Sequence, residues 1–226
     1  MTKLPIQLVF IVALSFVRAA ENPASVSYDG FQVSSSVYEK KIQYEIPGFE
    51  LKQIDKNGKV YVKPEMENAG AIVEPGQPYL PTVSTFYAVE PGKTYSVNVT
   101  VQETETILNI DILPLEGWDP NLSGSVVKGR SYSQNELFPA LIATVSEPIV
   151  VRGLTLVQVS LTPFQYNPVT AELTIIQSAE VELVENGTTD MPFIPGKRSR
   201  AFEPLYESLV VNYATLGRDE IEYQQP

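Results

Sequence analysis

The stretch 150–184 constrains the fold most, because apolar and polar side chains alternate along most of its length. A period of two lays one apolar face of a β-strand against a core, so the stretch predicts two strands. The apolar positions are Val157, Val159 and Leu161 in the first strand and Leu173, Ile175, Ala179, Val181 and Leu183 in the second. Leu154 and Leu156 have the opposite parity, which predicts a bulge or a segment buried on both faces.

A connection over 162–171 separates these two strands. It contains Pro163 and the tetrapeptide Asn167-Pro168-Val169-Thr170. Asn accepts hydrogen bonds from nearby backbone N–H groups, and Pro fixes the φ angle of the second turn position. The sequence therefore predicts one large antiparallel hairpin in which the two strands pair with each other.

Turn signals at close spacing divide most of the remaining chain into short strands. Asn57-Gly58 predicts a tight hairpin, because both residues accept a positive φ. A helical period occurs only near the end of the chain, at Phe202, Leu205, Tyr206, Leu209, Val210 and Tyr213. The pattern predicts an all-β, two-sheet antiparallel sandwich, Greek-key or jelly-roll-like, with one short C-terminal helix that has Pro204 in its first turn.

Residues 1–19 have the composition of a secretory signal peptide. Lys3 precedes an apolar run that ends at Val17-Arg18-Ala19, and small residues at this spacing predict cleavage after Ala19. The run is shorter than the roughly twenty residues that span a membrane, and no later stretch is long and apolar enough to do so. We therefore expect a secreted protein. The predicted organisation is a signal peptide at 1–19, a β-sandwich domain at 20–196, and a basic connector, short helix and junction at 197–226.

The chain contains no cysteine and no histidine. Ser–His and Cys–His catalysis and the usual thiolate or imidazole metal sites are therefore excluded, and we expect no cofactor, no metal and no enzymatic activity. Removal of Lys3 and Arg18 with the signal peptide moves the formal charge from −11 to −13, which argues against nucleic acid as a partner.

Carboxylate pairs leave an acid-based enzyme or a calcium site as the weakest alternative function. Glu103 stands near Glu105 and Asp111 near Glu116 along the chain, but nothing in the sequence fixes their separation in space. Solvated strand faces explain such residues equally well in an acidic chain.

A basic run, Lys197-Arg198-Ser199-Arg200, follows a connector that contains Pro195 and Gly196. Exposed linkers are preferred sites of proteolysis, so the sequence predicts cleavage at Arg198, Arg200 or, beyond the helix, Arg218. A solvated basic linker beside an acidic body is the alternative interpretation.

Four segments, in this order, resemble the N-terminal propeptide of gingipain-type (clan CD) secreted cysteine proteases. They are Gly76-Gln77-Pro78-Tyr79-Leu80-Pro81 before a strand, the long β stretch, Pro163-Phe164-Gln165-Tyr166-Asn167-Pro168-Val169-Thr170, and Arg200-Ala201-Phe202-Glu203-Pro204-Leu205-Tyr206 to Asn212-Tyr213. The resemblance implies a β-sandwich prosegment that inhibits its cognate cysteine protease domain and assists its folding until proteolysis removes the prosegment. The catalytic Cys and His would belong to that protease domain.

The resemblance also implies an inhibitory loop that lays a basic side chain in the specificity pocket of the protease. Lys128 and Arg130 are the candidates by position and chemistry, since no family motif covers the irregular stretch 115–138. Arg presents a rigid fork of donors to a carboxylate, and Gly129 would let the backbone approach a cleft.

Two alternatives stay open at this point. The loop could be a mobile surface segment whose two cations relieve the acidic surface, in which case the 118–121 turn with Trp118 is the next candidate. The whole chain could be a stand-alone secreted β-sandwich binding or adhesion module, because a sandwich alone implies no function.

Overall fold

The computed structural model describes residues 32–36, 40–46, 48–72, 74–117, 125–189 and 200–213. The strands in these ranges are β1 (Gln32–Ser36), β2 (Lys41–Glu45), β3 (Phe49–Lys56), β4 (Lys59–Met66), β5 (Gly70–Ala71), β6 (Pro81–Ala88), β7 (Lys93–Ile107), β8 (Ala143–Val145), β9 (Ile149–Val151), β10 (Leu154–Leu161), β11 (Phe164–Asn167) and β12 (Glu172–Thr188). One α-helix, α1 (Glu203–Leu209), follows a 3₁₀ turn at Arg200–Phe202, and a second 3₁₀ turn spans Arg130–Ser133.

Two five-stranded antiparallel sheets form the body of the protein. The first sheet has the order β1-β2-β12-β11, and β7 also pairs with β12. Residues 178–182 of β12 pair with both β2 and β7, so β7 lies on the edge of β12 opposite to β2. The second sheet has the order β5-β6-β10-β8, with β9 also on β10. The predicted fold class, a two-sheet antiparallel sandwich with one short C-terminal helix, is confirmed.

The main core lies between the two sheets, because each contributes the apolar face that its alternating sequence creates. Its fully buried members are Ile42, Tyr44, Val157, Val159, Leu161 and Val181. The Tyr44 hydroxyl lies 2.6 Å from Thr85 Oγ1 and so joins the sheets. Burial raises the pKa of Tyr44 to about 12.

The predicted large hairpin between β10 and β12 is wrong. These strands lie in different sheets, and the chain crosses between them at Thr162 and Pro163. The hairpin is formed instead by the short β11, whose Phe164 pairs with Ile175. An alternating sequence shows that each strand has one apolar face. It does not show whether two such strands pair within one sheet or lie in two sheets whose apolar faces meet across a core.

The turn chemistry of this smaller hairpin is as predicted. Asn167 Oδ1 accepts hydrogen bonds from the backbone N–H groups of Val169 at 3.1 Å and Thr170 at 3.3 Å. The Asn57-Gly58 turn between β3 and β4 is also confirmed, with φ of 58° and 79°. That hairpin forms a separate two-stranded sheet and packs on a second core beside the first.

Residues 200–213 cover the outer face of the second sheet and explain the parity of Leu154 and Leu156. Both leucines are 4% exposed and pack against Tyr206 and Val210, while Val157 and Val159 of the same strand fill the main core. The prediction of a segment buried on both faces is thus confirmed. The predicted helix is shorter than its apolar pattern, with Pro204 in its first turn.

No helix among the described residues is long and apolar enough to cross a membrane. The predicted signal peptide with its cleavage point Ala19 lies outside the described residues.

Candidate functional site

The candidate site is the segment 125–133, called here the Arg130 loop. It contacts the backbone at Gly76, whose carbonyl accepts a 2.7 Å hydrogen bond from the Gly129 N–H. A Cβ on Gly129 would lie 2.9 Å from that carbonyl oxygen, and Gly76 has a φ of +82°. The two backbones touch at this point, so glycine is required at both positions. The close approach that Gly129 permits is therefore made to the protein's own backbone.

Lys128 is held by a carboxylate on the body of the protein. Its Nζ lies 2.8 Å from Asp111 Oδ1 and 3.1 Å from Oδ2. Lys59 Nζ lies 2.6 Å from the same Oδ2. The Lys128 ammonium also lies 4.6 Å from the ring centre of Tyr132. The Lys128 ammonium is therefore already paired within the protein, although it shares its one carboxylate with Lys59.

The charge state of Asp111 follows from these contacts. Burial by itself would raise the pKa of the Asp111 carboxyl, but hydrogen bonds from Lys128 and Lys59 outweigh burial and hold the pKa below its ordinary value. Asp111 is therefore ionised at neutral pH and joins the Arg130 loop to the start of β4 through one carboxylate.

The far end of the Arg130 loop is anchored by Tyr132. Its hydroxyl donates a 2.8 Å hydrogen bond to the Ile112 carbonyl, and its ring packs edge-on against Tyr166 at 6.2 Å. Burial raises the pKa of Tyr132 and, to about 12, that of Tyr166. Lys128, Gly129 and Tyr132 thus fix the loop on both sides of Arg130.

Arg130 itself is exposed at the start of the 3₁₀ turn. Within the described ranges, its side chain has no ion pair, hydrogen bond or ring contact, and every other lysine and arginine has such a contact. Of the two cations predicted from the sequence, Lys128 pairs with Asp111, and Arg130 has no side-chain partner in the part of the chain that the structure describes.

The other predicted site residues fall in two groups. Arg200 is exposed and begins the 3₁₀ turn before α1. The cleavage candidates Arg198 and Arg218, and the 118–121 turn, lie outside the described residues.

The carboxylate pairs are occupied by other contacts. Glu116 pairs with Lys56 at 2.7 Å, and Glu105 accepts a hydrogen bond from Gln177 at 3.2 Å. No group of three or more acidic, His or Cys residues in the described part of the chain could hold a metal ion.

Sequence reasoning missed the residues that position Arg130. The sequence pattern indicates Asp111 only as a possible partner of Glu116, and the one signal for another role is its position between Ile110 and Ile112. Gly76 belongs to the motif that resembles gingipain propeptides, but its contact with Gly129 joins segments that are distant in the chain.

Comparison with known proteins decides the family. The Propeptide_C25 family model matches residues 22–218, which is most of the chain. This chain belongs to the Propeptide_C25 family. Gingipain R2 of Porphyromonas gingivalis is 27% identical over 192 residues, which cover 82% of this chain and 26% of the relative. Gingipain R1 of the same organism is 29% identical over 191 residues, which cover 82% of this chain and 19% of the relative. The chain thus spans about a quarter or less of these relatives.

Solved structures agree with this family. In the complex of the pro- and mature domains of Porphyromonas gingivalis RgpB, one chain is 26% identical with a TM-score of 0.72, and the match covers 84% of this chain and 99% of that one. A structure on the zymogenic latency of gingipain K matches with a TM-score of 0.57 at 17% identity and shows the shared fold alone. The Propeptide_C25 chain is thus a gingipain-type propeptide domain. Its sequence contains no cysteine or histidine and therefore supplies no Cys–His catalytic pair.

Proposed function

We propose that this chain is the prosegment of a secreted gingipain-like cysteine endopeptidase and that it inhibits the catalytic domain by placing Arg130 in the specificity pocket. The observation that carries the proposal is the contrast between the Arg130 guanidinium, which has no partner among the described residues, and the fixed backbone on both sides of it. A guanidinium binds a carboxylate through two parallel hydrogen bonds, which is the geometry that an acidic pocket would offer.

The fixed loop favours tight binding. A loop that is already ordered loses little conformational freedom when a partner binds it, so more of the contact energy appears as affinity. Asp111 and Ile112, which are adjacent, and the distant Gly76 supply this order from two separate parts of the chain. In this proposal Lys128 helps to hold the Arg130 loop in place, and it is not the side chain that enters the pocket.

The partner in this proposal is the protease catalytic domain, bound in cis or after cleavage. Support comes from the RgpB relative, whose pro- and mature domains form a complex. The domain would also assist folding of the protease. The signal peptide would direct export and be removed after Ala19. The proposed organisation is 1–19, 20–196 and 197–226, with processing at Arg198, Arg200 or Arg218.

The test is inhibition of the cognate catalytic domain by residues 20–226. Arg130→Ala is expected to weaken inhibition by about 2 kcal/mol or more, because a desolvated charge pair is lost, and to leave the melting temperature unchanged. Lys52→Ala is the control, since it also removes an exposed cation, but one that is already paired with Glu65 of β4. Equal inhibition by Arg130→Ala and wild type would refute the assignment and direct attention to the 118–121 turn.

A further inference from the structure

The segment 200–213, called here the C-terminal clasp, forms a third layer on the sandwich. Three of its aromatic or aliphatic side chains are almost fully buried on the second sheet: Tyr206 and Val210 at 3% exposure and Tyr213 at 4%. They contact Leu154, Leu156 and Ala88. The clasp is therefore attached by the same apolar burial that holds a domain core together.

Backbone groups of β6 bind the end of the clasp. Asn212 accepts a hydrogen bond from the Ala88 N–H at 2.8 Å and donates one to the Ala88 carbonyl at 2.9 Å. The Val211 N–H donates to the Phe86 carbonyl at 2.9 Å. At Ala88, β6 pairs with β10 on its other side, so the clasp satisfies an edge that would otherwise lack partners.

The start of the clasp is held by an arginine in the tight turn between β9 and β10. The Arg152 guanidinium lies 3.9 Å from the ring centre of Phe202, which is within the range of a cation–π contact. The contacts named above extend from Phe202 to Tyr213 and lie after the basic run 197–200.

We propose that the clasp keeps the sandwich bound to the downstream chain after the backbone is cut at Arg198 or Arg200. Such a cut separates two pieces that remain joined by the buried face of the clasp, so it does not release the prosegment. A cut at Arg218 has the opposite result, because the clasp then stays with the sandwich and no longer tethers anything. Of the three candidate sites, only a cut at Arg218 removes this tether and leaves the Arg130 loop as the remaining attachment.

This inference rests on the proposed function for the choice of processing sites. It makes the clasp a second point of attachment between the prosegment and the downstream chain, in addition to the Arg130 loop. When two contacts join the same two bodies, the second forms at a high effective concentration, so dissociation requires both to open. A precursor cut only in the basic run would therefore stay latent longer than the affinity of the Arg130 loop alone allows.

The experiment uses the full chain from residue 20 with residues 193–199 replaced by the recognition sequence of a sequence-specific protease and with a tag after Pro226. After complete cleavage, native size-exclusion chromatography at micromolar concentration is expected to show the tagged C-terminal fragment eluting with the sandwich. Separation is expected only in denaturant. A fragment that elutes alone under native conditions would overturn the proposal.

Two single substitutions test whether the buried face is responsible. Asn212→Ala leaves the Ala88 N–H and carbonyl unpaired and is expected to weaken retention by about tenfold or more. Leu205→Ala is the matched control, because Leu205 is on the same helix but 48% exposed, and its retention is expected to equal that of wild type. Circular dichroism of each uncut variant verifies its fold. Equal losses in both variants would contradict binding through the buried face.

The assay contains no protease partner other than the cleaving enzyme, so its outcome is independent of inhibition. If the fragment dissociates while the uncut chain still inhibits the catalytic domain through Arg130, the clasp proposal fails and the proposed function stands. If the fragment is retained while Arg130→Ala inhibits normally, the clasp proposal stands and the inhibitory role of Arg130 fails.

Discussion

The Arg130 loop and the C-terminal clasp are both short segments outside the sheets, but they are held in different ways. The loop is fixed by a shared carboxylate and two hydrogen bonds, and the charged side chain of Arg130 has no partner among the residues that the structure describes. The clasp buries Tyr206, Val210 and Tyr213. Exposed ion pairs contribute about 0–1 kcal/mol, whereas a buried large apolar side chain contributes about 1.5–3 kcal/mol. Polar contacts therefore position Arg130, and apolar contacts attach the clasp.

The largest expected effect concerns the clasp. Tyr206→Ala is expected to lower the free energy of unfolding by about 3 kcal/mol, because it leaves a cavity against the second sheet. Urea unfolding of the uncut chain measures this. Leu209→Ala, on the 47% exposed side of the same helix, is the control and is expected to stay within about 0.5 kcal/mol. Inhibition by Tyr206→Ala in the uncut chain should be retained, which is the reverse of the result expected for Arg130→Ala.

Gly129→Ala tests whether inhibition depends on the position of the Arg130 loop, because it retains Arg130 itself. The new Cβ would meet the Gly76 carbonyl, and the loop must move because neither backbone yields easily. We expect inhibition to weaken by about 1–2 kcal/mol. Gly70→Ala is the control, since its Cβ would make an ordinary 3.7 Å contact with the Thr82 carbonyl. Wild-type inhibition by Gly129→Ala would show that the position of the loop does not matter.

Asp111→Asn has a smaller expected effect, because the ion pairs that it removes are partly exposed. Lys128 and Lys59 lose their shared carboxylate, and inhibition should weaken by about 1 kcal/mol with little change in stability. Glu185→Gln removes a comparable ion pair with Lys93, which joins β12 to β7, and is the control. A loss of stability without a loss of inhibition would contradict a positioning role for Asp111.

The smallest expected effect is a pH dependence of the stability that the Asp111 contacts contribute. Because the folded-state pKa of Asp111 is below the ordinary value of 3.8, its contribution to stability is present above that value and is lost as the pH falls through the folded pKa. Wild type should therefore lose more stability than Asp111→Asn between neutral pH and pH values below 3.8. Acid unfolding curves of the two proteins measure the difference. Identical curves would contradict it.

Local patterns in the sequence determined most of the elements of this protein. The period of two identified β10 and β12, the side-chain chemistry of Asn57-Gly58 and Asn167 identified the turns, and the helical spacing after Pro204 identified α1. Composition excluded cysteine and histidine chemistry. These features are local because backbone conformation depends on a residue and its near neighbours.

Only the tertiary structure decided which surfaces meet. The alternation in β10 and β12 is the same whether the strands pair or face each other, so it could not exclude the large hairpin. The second buried face of Leu154 and Leu156 depends on the clasp, whose residues come late in the chain. Lys128 and Arg130 have the same charge and stand two positions apart, yet Asp111 binds only the first. An ion pair depends on distances in space between residues far apart in sequence, and no local pattern contains those distances.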